Sequence, residues 1–133
     1  MLKYTGALSG FGKMLHGDVD LDTMTLVFVL VDSADYTFSA AHTTLADVPA
    51  GARVATSPSV TPGFSGTTVT QPGFTFTLVS GDPFEVIVVC IRSAAGDANH
   101  FLWFMIEDAD ETELPMTPNG QDIIVAAGNL ITI

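Results

Sequence analysis

Positively charged residues are scarce in this sequence. Four Lys and Arg stand against fifteen Asp and Glu, which gives a formal net charge of −11 over 133 residues. Nucleic acids and anionic membranes bind proteins through basic patches, and the four cations are scattered along the chain as Lys3, Lys13, Arg53 and Arg92. The composition therefore predicts neither a nucleic-acid partner nor a membrane partner.

Cysteine and long apolar runs are almost missing. Cys90 is the single cysteine, so no internal disulfide forms and the redox compartment stays open. It lies between Val89 and Ile91 without a cationic neighbour, which favours a buried small hydrophobe over a nucleophile. No apolar run reaches the roughly 18 residues of a membrane-spanning helix. Residues 1–6 lack the layout of a signal peptide, so we expect a soluble product made in the cytosol.

The balance of charge and hydrophobicity bears on assembly. Charged residues are 14% of the chain and apolar residues 47%, whereas an average soluble protein has about 25% charged residues. Such a chain can bury a core, and its length fits one domain over residues 1–133. A monomer of this mass exposes about 6,700 Å² of surface. The few charged side chains can solvate only part of that surface. We therefore expect a homo-oligomer, with a trimer as the expected state.

Residues 83–108 carry the strongest structural pattern. Two apolar runs flank a short polar, Gly-containing connector, residues 94–99. The first run contains the β-branched residues Val86 to Val89 and Ile91, and the second contains Phe101, Trp103 and Phe104, so both favour strands. Both are apolar at nearly every position, which predicts a central hairpin covered on both faces.

Shorter patterns along the rest of the chain predict the fold class. Gly and Pro punctuate six to eight short strands, and this predicts an all-β, antiparallel sandwich or barrel with a short N-terminal helix. The predicted elements are a helix over residues 4–15 ended by Gly17, a helical turn within 42–48, strands over 24–31, 53–60, 67–70 and 74–79, and a second hairpin formed by 123–125 and 130–133.

Acidic clusters offer possible calcium ligands. Asp18, Asp20 and Asp22 have the spacing that opens an EF-hand loop, but Thr23 and Val29 replace the required Gly and Glu. A solvated turn is the better interpretation. A second cluster leaves weak calcium binding open beside a simple solvated loop; it comprises Glu107, Asp108, Asp110, Glu111 and Glu113.

Asp32-Ser33-Ala34 is the one lead towards an enzyme. An apolar strand followed by these residues resembles the catalytic turn of retroviral-type aspartic proteases, which would need a second Asp from a homodimer. The alternative is an Asp turn that ends a strand. His16, His42 and His100 show no metal-ligand spacing. We therefore predict a non-enzyme with no catalytic residue, no metal site and no cofactor.

A fixed order of segments runs along nearly the whole chain. An aromatic-containing helix precedes a Gly-x-Val-Asp-Leu stretch and an apolar strand ending in Asp-Ser. A Tyr/Phe and His segment and a Leu-x-Asp-Val turn follow, and later an apolar hairpin and a C-terminal apolar pair. The residues are Tyr4, 17–21, 26–33, 36–38, His42, 45–48, 83–108 and 123–133.

This order resembles a family of small virion structural proteins of tailed bacteriophages. The resemblance implies a virion component, assembled in the host bacterial cytoplasm, that contacts the major capsid protein or other virion proteins. The shortage of Lys and Arg departs from a DNA-facing head protein. The resemblance does not fix whether the chain decorates the capsid or belongs to the tail. The leading hypothesis is a non-enzymatic capsid decoration or cement protein.

Three alternatives remain open at this stage. Within the same class, the chain could be a tail or head–tail junction protein. In another class, Trp103 and Tyr36 could stack on sugars in a carbohydrate or host-recognition module, although both lie near strands and are better explained as core residues. The third alternative is the aspartic protease at Asp32.

Overall fold

The computed structural model describes residues 2–6, 8–20, 22–106 and 117–132. Within them the strands pair in antiparallel fashion, as predicted. The elements are strands β1 (Leu2–Lys3), β2 (Thr25–Val31), β3 (Arg53–Thr56), β4 (Gly63–Ser65), β5 (Thr68–Gln71), β6 (Phe74–Phe76), β7 (Val86–Arg92), β8 (His100–Ile106), β9 (Ile123–Val125) and β10 (Gly128–Thr132), helix α1 (Gly10–Leu15), and 3-10 turns at Leu45–Asp47, Ala50–Ala52 and Asp97–Asn99.

A five-stranded sheet in the order β1-β8-β7-β2-β3 is the centre of the molecule. The predicted hairpin is confirmed as β7 and β8, which pair from Ile87 opposite Ile106 to Arg92 opposite His100. Strand β2 lies on the other side of β7, with Thr25 opposite Arg92. The β-branched and aromatic residues of these strands suit a pleated, buried surface.

Successive side chains of a strand point to opposite faces, so this sheet has two apolar faces. One, the sandwich face, contains Leu26, Phe28, Leu30, Ile87, Val89, Ile91, Trp103 and Phe104. The other, the loop face, contains Val27, Val29, Val31, Val86, Val88, Cys90, Leu102 and Met105. Both faces are buried, as the continuous apolar pattern predicted.

Two smaller sheets cover the sandwich face. A three-stranded sheet has the order β10-β5-β4, and a two-stranded sheet pairs β6 with β9. They contribute Val69, Phe76, Leu130 and Ile131 to the same core cluster, with Ile123 and Val125 packed against it. The predicted sandwich arrangement is therefore confirmed, in a chain with ten described strands rather than six to eight.

An irregular segment covers the loop face. Residues 32–52 connect β2 to β3, and their side chains pack on this face together with Tyr4. Two 3-10 turns, Leu45–Asp47 and Ala50–Ala52, are its only helical elements. The first of them confirms the predicted helical turn. The segment's buried side chains are Tyr36, Leu45, Val48 and Ala52.

A β-bulge adjusts the central hairpin. The register of β7 and β8 shifts between Val89 and Cys90, so Phe104 faces Val89 and Leu102 faces Cys90. The extra residue places both Trp103 and Phe104 on the sandwich face, with ring centroids 4.9 Å apart at an angle of 70°. Trp103 is fully buried, which confirms its predicted place in the core.

Helix α1 is shorter than the predicted helix over residues 4–15, and the prediction of its apolar face is wrong. Leu8 and Leu15 are exposed, whereas Tyr4 lies in the core below the loop face. Helix α1 begins only at Gly10, after Ser9, whose hydroxyl oxygen accepts the Gly12 N–H as the N-cap. Gly10 itself packs closely on the sheet, since a Cβ there would lie 3.1 Å from the Cβ of Trp103. The predicted end of the helix is confirmed, since Gly17 has φ +77° and donates to the Met14 carbonyl.

The predicted C-terminal hairpin is wrong. Both strands exist, but β9 pairs with β6 and β10 pairs with β5. Residues 127–129 have the composition of a turn, but a turn does not require the two strands beside it to pair. Each of these strands pairs with a strand that lies far away in the sequence. Leu78, expected on the same face as Phe76, instead has φ +47° and is exposed.

The chain buries both faces of its central sheet by itself. Its accessible surface is 6581 Å², close to the roughly 6,700 Å² expected for a monomer of this mass. Among the described residues, the exposed large hydrophobics are Leu8, Leu15, Phe64, Leu78 and Ile124. The homo-oligomer therefore stays a prediction. No helix within the described ranges is long and apolar enough to span a bilayer.

Candidate functional site

Asp32 ends strand β2 in a hydrogen-bonded turn. Its Oδ1 accepts the Ala34 N–H at 2.9 Å, and its carbonyl accepts the Asp35 N–H at 3.1 Å. Ser33 donates its N–H and its hydroxyl to Glu85 Oε1. An Asp side chain that bonds the backbone two residues on forms an Asx turn. The turn that was the alternative to a protease site is therefore present.

Three carboxylates converge next to this turn. Asp32, Asp35 and Asp82 each offer an oxygen, and the three oxygens lie within 4.8 Å of one another. Carboxylate oxygens are the ligands that Ca²⁺ takes, but exposed acidic groups often lie this close without an ion, and only Asp32 is buried here. Sequence analysis missed the cluster because Asp82 lies far from Asp32 along the chain.

The two sequence-predicted acidic clusters have different outcomes. Asp20 Oδ1 accepts the Asp22 N–H at 2.8 Å, and the carbonyl of Asp20 accepts from Thr23 and Met24. This is the exposed turn before β2 that was predicted. The second cluster, Glu107, Asp108, Asp110, Glu111 and Glu113, lies outside the described residues.

Cys90 is fully buried on the loop face. Burial disfavours the charged thiolate and raises the pKa of the thiol to about 12. Only the thiolate is strongly nucleophilic, so the side chain acts as a small core hydrophobe at neutral pH. This confirms the prediction made from its apolar neighbours.

Two tyrosines and a histidine form a hydrogen-bonded chain below the loop face. The hydroxyls of Tyr4 and Tyr36 are 2.9 Å apart, and that of Tyr36 is 2.8 Å from His42 Nδ1. Burial raises the pKa of both tyrosines, and the hydrogen bond to Tyr36 raises that of Tyr4 further. Both phenols are neutral at physiological pH. These two hydrogen bonds join the N-terminal segment to residues 36–42.

The remaining predicted residues are dispersed. His100 Nδ1 lies 2.7 Å from the Gly96 carbonyl, and His16 is the C-terminal cap of α1. Trp103 and Tyr36 are 0% and 6% exposed, so both are core residues rather than exposed platforms for a sugar.

Exposed apolar side chains lie on the outer strands. Phe64 is 49% exposed on β4, which is the last strand of the three-stranded sheet. Ile124 is 78% exposed on β9. Leu78, just after β6, is 68% exposed in a conformation that a leucine rarely adopts. Edge strands offer unpaired backbone groups to another chain, so Phe64 and Ile124 are candidate contact positions.

A cavity of about 550 Å³ lies between the central sheet and the two smaller sheets. Its floor is formed by buried side chains of the sandwich face and of the segment before β7, among them Phe28, Leu30 and Phe84. Its rim is exposed at residues 126–129. The other lining residues are Gln71, Phe74, Phe76, Ile87, Ile106, Ile123, Ile124, Val125 and Leu130.

No protein-family model matches the chain, and no curated protein matches it significantly.

Proposed function

We propose that this chain is a non-enzymatic structural protein of a tailed-bacteriophage virion that decorates the capsid and stabilises the shell. The observation that carries the proposal is the placement of apolar side chains on outer strands. Phe64 is 49% exposed on β4 and Ile124 is 78% exposed on β9. Apolar side chains beside an unpaired strand edge suit β-augmentation by a partner chain.

The reactive side chains support a non-enzymatic role. Asp32 is engaged in an Asx turn, Cys90 is buried as a neutral thiol, and His42 is bonded to Tyr36. Each of these groups therefore stabilises the fold through a turn, a core contact or a hydrogen bond. The formal charge of −11 disfavours contact with the packaged nucleic acid and suits the outer side of a shell.

Contact with the shell would combine two effects. The outer strands supply backbone groups and apolar side chains, while the acidic surface favours a partner surface rich in Lys and Arg. Copies of the chain would also contact one another, with a trimer as the proposed state. We propose the virion as its location and the major capsid protein as its main partner.

Copy number in purified virions tests this function. Quantitative mass spectrometry should find a fixed number of copies of this chain per virion, close to the copy number of the major capsid protein. A few copies per particle would instead support a tail or head–tail junction protein. Absence from purified virions would overturn the proposal.

Light scattering tests the oligomer. We expect a trimer at micromolar concentration that Phe64→Ser weakens, because this change removes an apolar side chain from an edge strand. Leu15→Ser is the matched control, since Leu15 is exposed on α1 rather than on a strand. A monomeric wild type would count against self-association.

Asp32→Asn tests the absence of catalysis. The amide keeps an oxygen that can accept the Ala34 N–H, so folding and assembly should be unchanged. A peptidase activity that disappears with this change would favour the protease over the structural protein.

A further inference from the structure

We propose that the cavity between the sheets is a binding site for a small, neutral, apolar molecule. This inference goes beyond the proposed function and does not rest on it. The cavity volume is about 550 Å³. Packed protein interiors contain few voids larger than a water molecule, whereas ligand pockets measure roughly 300–1,000 Å³. The cavity opens to solvent at residues 126–129, so it is a pocket rather than an enclosed packing defect, and its volume is that of a ligand pocket.

The walls define an apolar ligand. Phe28 and Phe74 stack with centroids 4.4 Å apart, and Phe76 meets Phe74 edge-on at 5.4 Å. Leu30 and Phe84 close the floor and are 1% exposed. Aliphatic and aromatic groups gain free energy by leaving water for such a surface.

The polar lining argues against a charged ligand. The described lining residues include no acidic or basic side chain. Gln71 is already bonded, since its Nε2 donates to the Ala126 carbonyl and its Oε1 accepts the Gly73 N–H. The amide of Asn129, at the exposed rim, is the other polar side chain. With a net charge of −11, the chain also repels anions.

The rim provides the entrance. Residues 126–127 connect β9 to β10 and, like the first two residues of β10, they are exposed, while the floor residues behind them are buried. A ligand would place its apolar part between the sheets, and a terminal hydroxyl would reach Asn129. This arrangement fits an aliphatic alcohol better than a fatty acid.

Fluorescence titration with N-phenyl-1-naphthylamine, a neutral apolar dye, tests the site. We expect saturable binding of one dye per chain, with displacement by n-decanol and much weaker displacement by decanoate. Ala127→Trp should raise the Kd by about tenfold by filling the entrance, and Ala126→Trp is a second rim variant. Ala95→Trp, in the exposed connector of the central hairpin, is the matched control and should leave the Kd unchanged.

Methyl NMR spectra of the wild type give a test that needs no variant. Decanol should shift the methyl signals of Leu30, Ile87 and Leu130, which line the cavity, and leave that of Leu45 below the loop face unchanged. Absence of saturable binding, unchanged affinity in folded rim variants, or shifts centred on Leu45 would overturn the site. Equal displacement by decanoate and decanol would overturn the neutral ligand class.

Discussion

The two faces of the central sheet are buried by different means. Strands cover the sandwich face, and their ladders satisfy the backbone groups, so apolar side chains alone can fill the space between them. The irregular segment 32–52 covers the loop face and has little ladder pairing. Its backbone groups need other partners, because a buried N–H or C=O without one is costly.

Side chains supply those partners on the loop side. Arg53 donates from Nη2 to the carbonyls of Leu45 and Val48 and from Nε to Val48. The Asp47 carboxylate accepts the N–H groups of Thr43 and Thr44. An irregular layer can thus cover a sheet as completely as strands do, but its stability depends on a few polar residues.

The largest effect is expected on the sandwich face. Trp103→Ala should lower the free energy of unfolding by about 3–5 kcal/mol, because it empties a fully buried indole site. Chemical denaturation measures this change. Phe64→Ala, at an exposed aromatic, should change the free energy by only about 0.5 kcal/mol. A midpoint for Trp103→Ala equal to that of the wild type, together with lost glycan binding, would favour the recognition module.

Arg53→Met tests the polar dependence of the loop side. We expect a loss of about 2–3 kcal/mol, since the carbonyls of Leu45 and Val48 lose a charged donor. Asp97→Asn is the control because it removes only the half-exposed ion pair at 2.9 Å, for which about 0.5 kcal/mol is expected. Equal losses in thermal or urea unfolding would show that the ion pair, and not the carbonyl contacts, holds the layer.

Tyr4→Phe should cost about 1 kcal/mol at neutral pH by removing one buried hydrogen bond. Burial, followed by the bond to Tyr36, raises the pKa of Tyr4. A raised folded-state pKa contributes stability that is present below pH ~10 and lost as pH rises above it. The wild type should therefore lose stability steeply in alkali, and Tyr4→Phe less steeply. Parallel pH profiles would contradict this assignment.

The smallest effect is expected at Asp47. The Thr43 N–H, ahead of other contributions, lowers the pKa of this carboxyl. A lowered folded-state pKa contributes stability that is present above pH ~4 and lost as pH falls below it. The amide of Asp47→Asn keeps an oxygen that can accept the same N–H groups and loses only the charge, so this change should cost about 0.5 kcal/mol at pH 7, and less in acid. Asp22→Asn, the same change of side chain in an exposed turn, is the control and should leave the free energy of unfolding at pH 7 nearly unchanged.

The central hairpin could be predicted because its signals are local and strong. Val86 to Ile91 and Phe101 to Phe104 favour strands, and their continuous apolarity required two covered faces. What covers each face could not be predicted. Apart from the predicted helical turn within 42–48, residues 36–52 show neither the period of a strand nor that of a helix. The sequence therefore does not predict that this segment covers one face of the sheet.

The errors share a physical cause, which is contact between residues far apart in the chain. The helix does not reach Tyr4, whose N–H donates to the Trp103 carbonyl instead, and β10 pairs with β5 rather than with its neighbour β9. The same holds for the sites. The Asp32 turn follows from adjacent residues, whereas the carboxylate cluster needs Asp82, and the cavity arises only where three sheets meet.

The pairing of β1 with β8 has a consequence for how quickly the chain can fold. Leu2 lies opposite Met105, so the edge of the central sheet forms only when nearly the whole sequence has been gathered. Closing so long a loop costs entropy before the contact can repay it. Folding rates fall as contacting residues become more distant in sequence, and β-proteins of this kind fold in milliseconds to seconds. During synthesis the hairpin of β7 and β8 can therefore form first, with the N-terminal strand joining it afterwards.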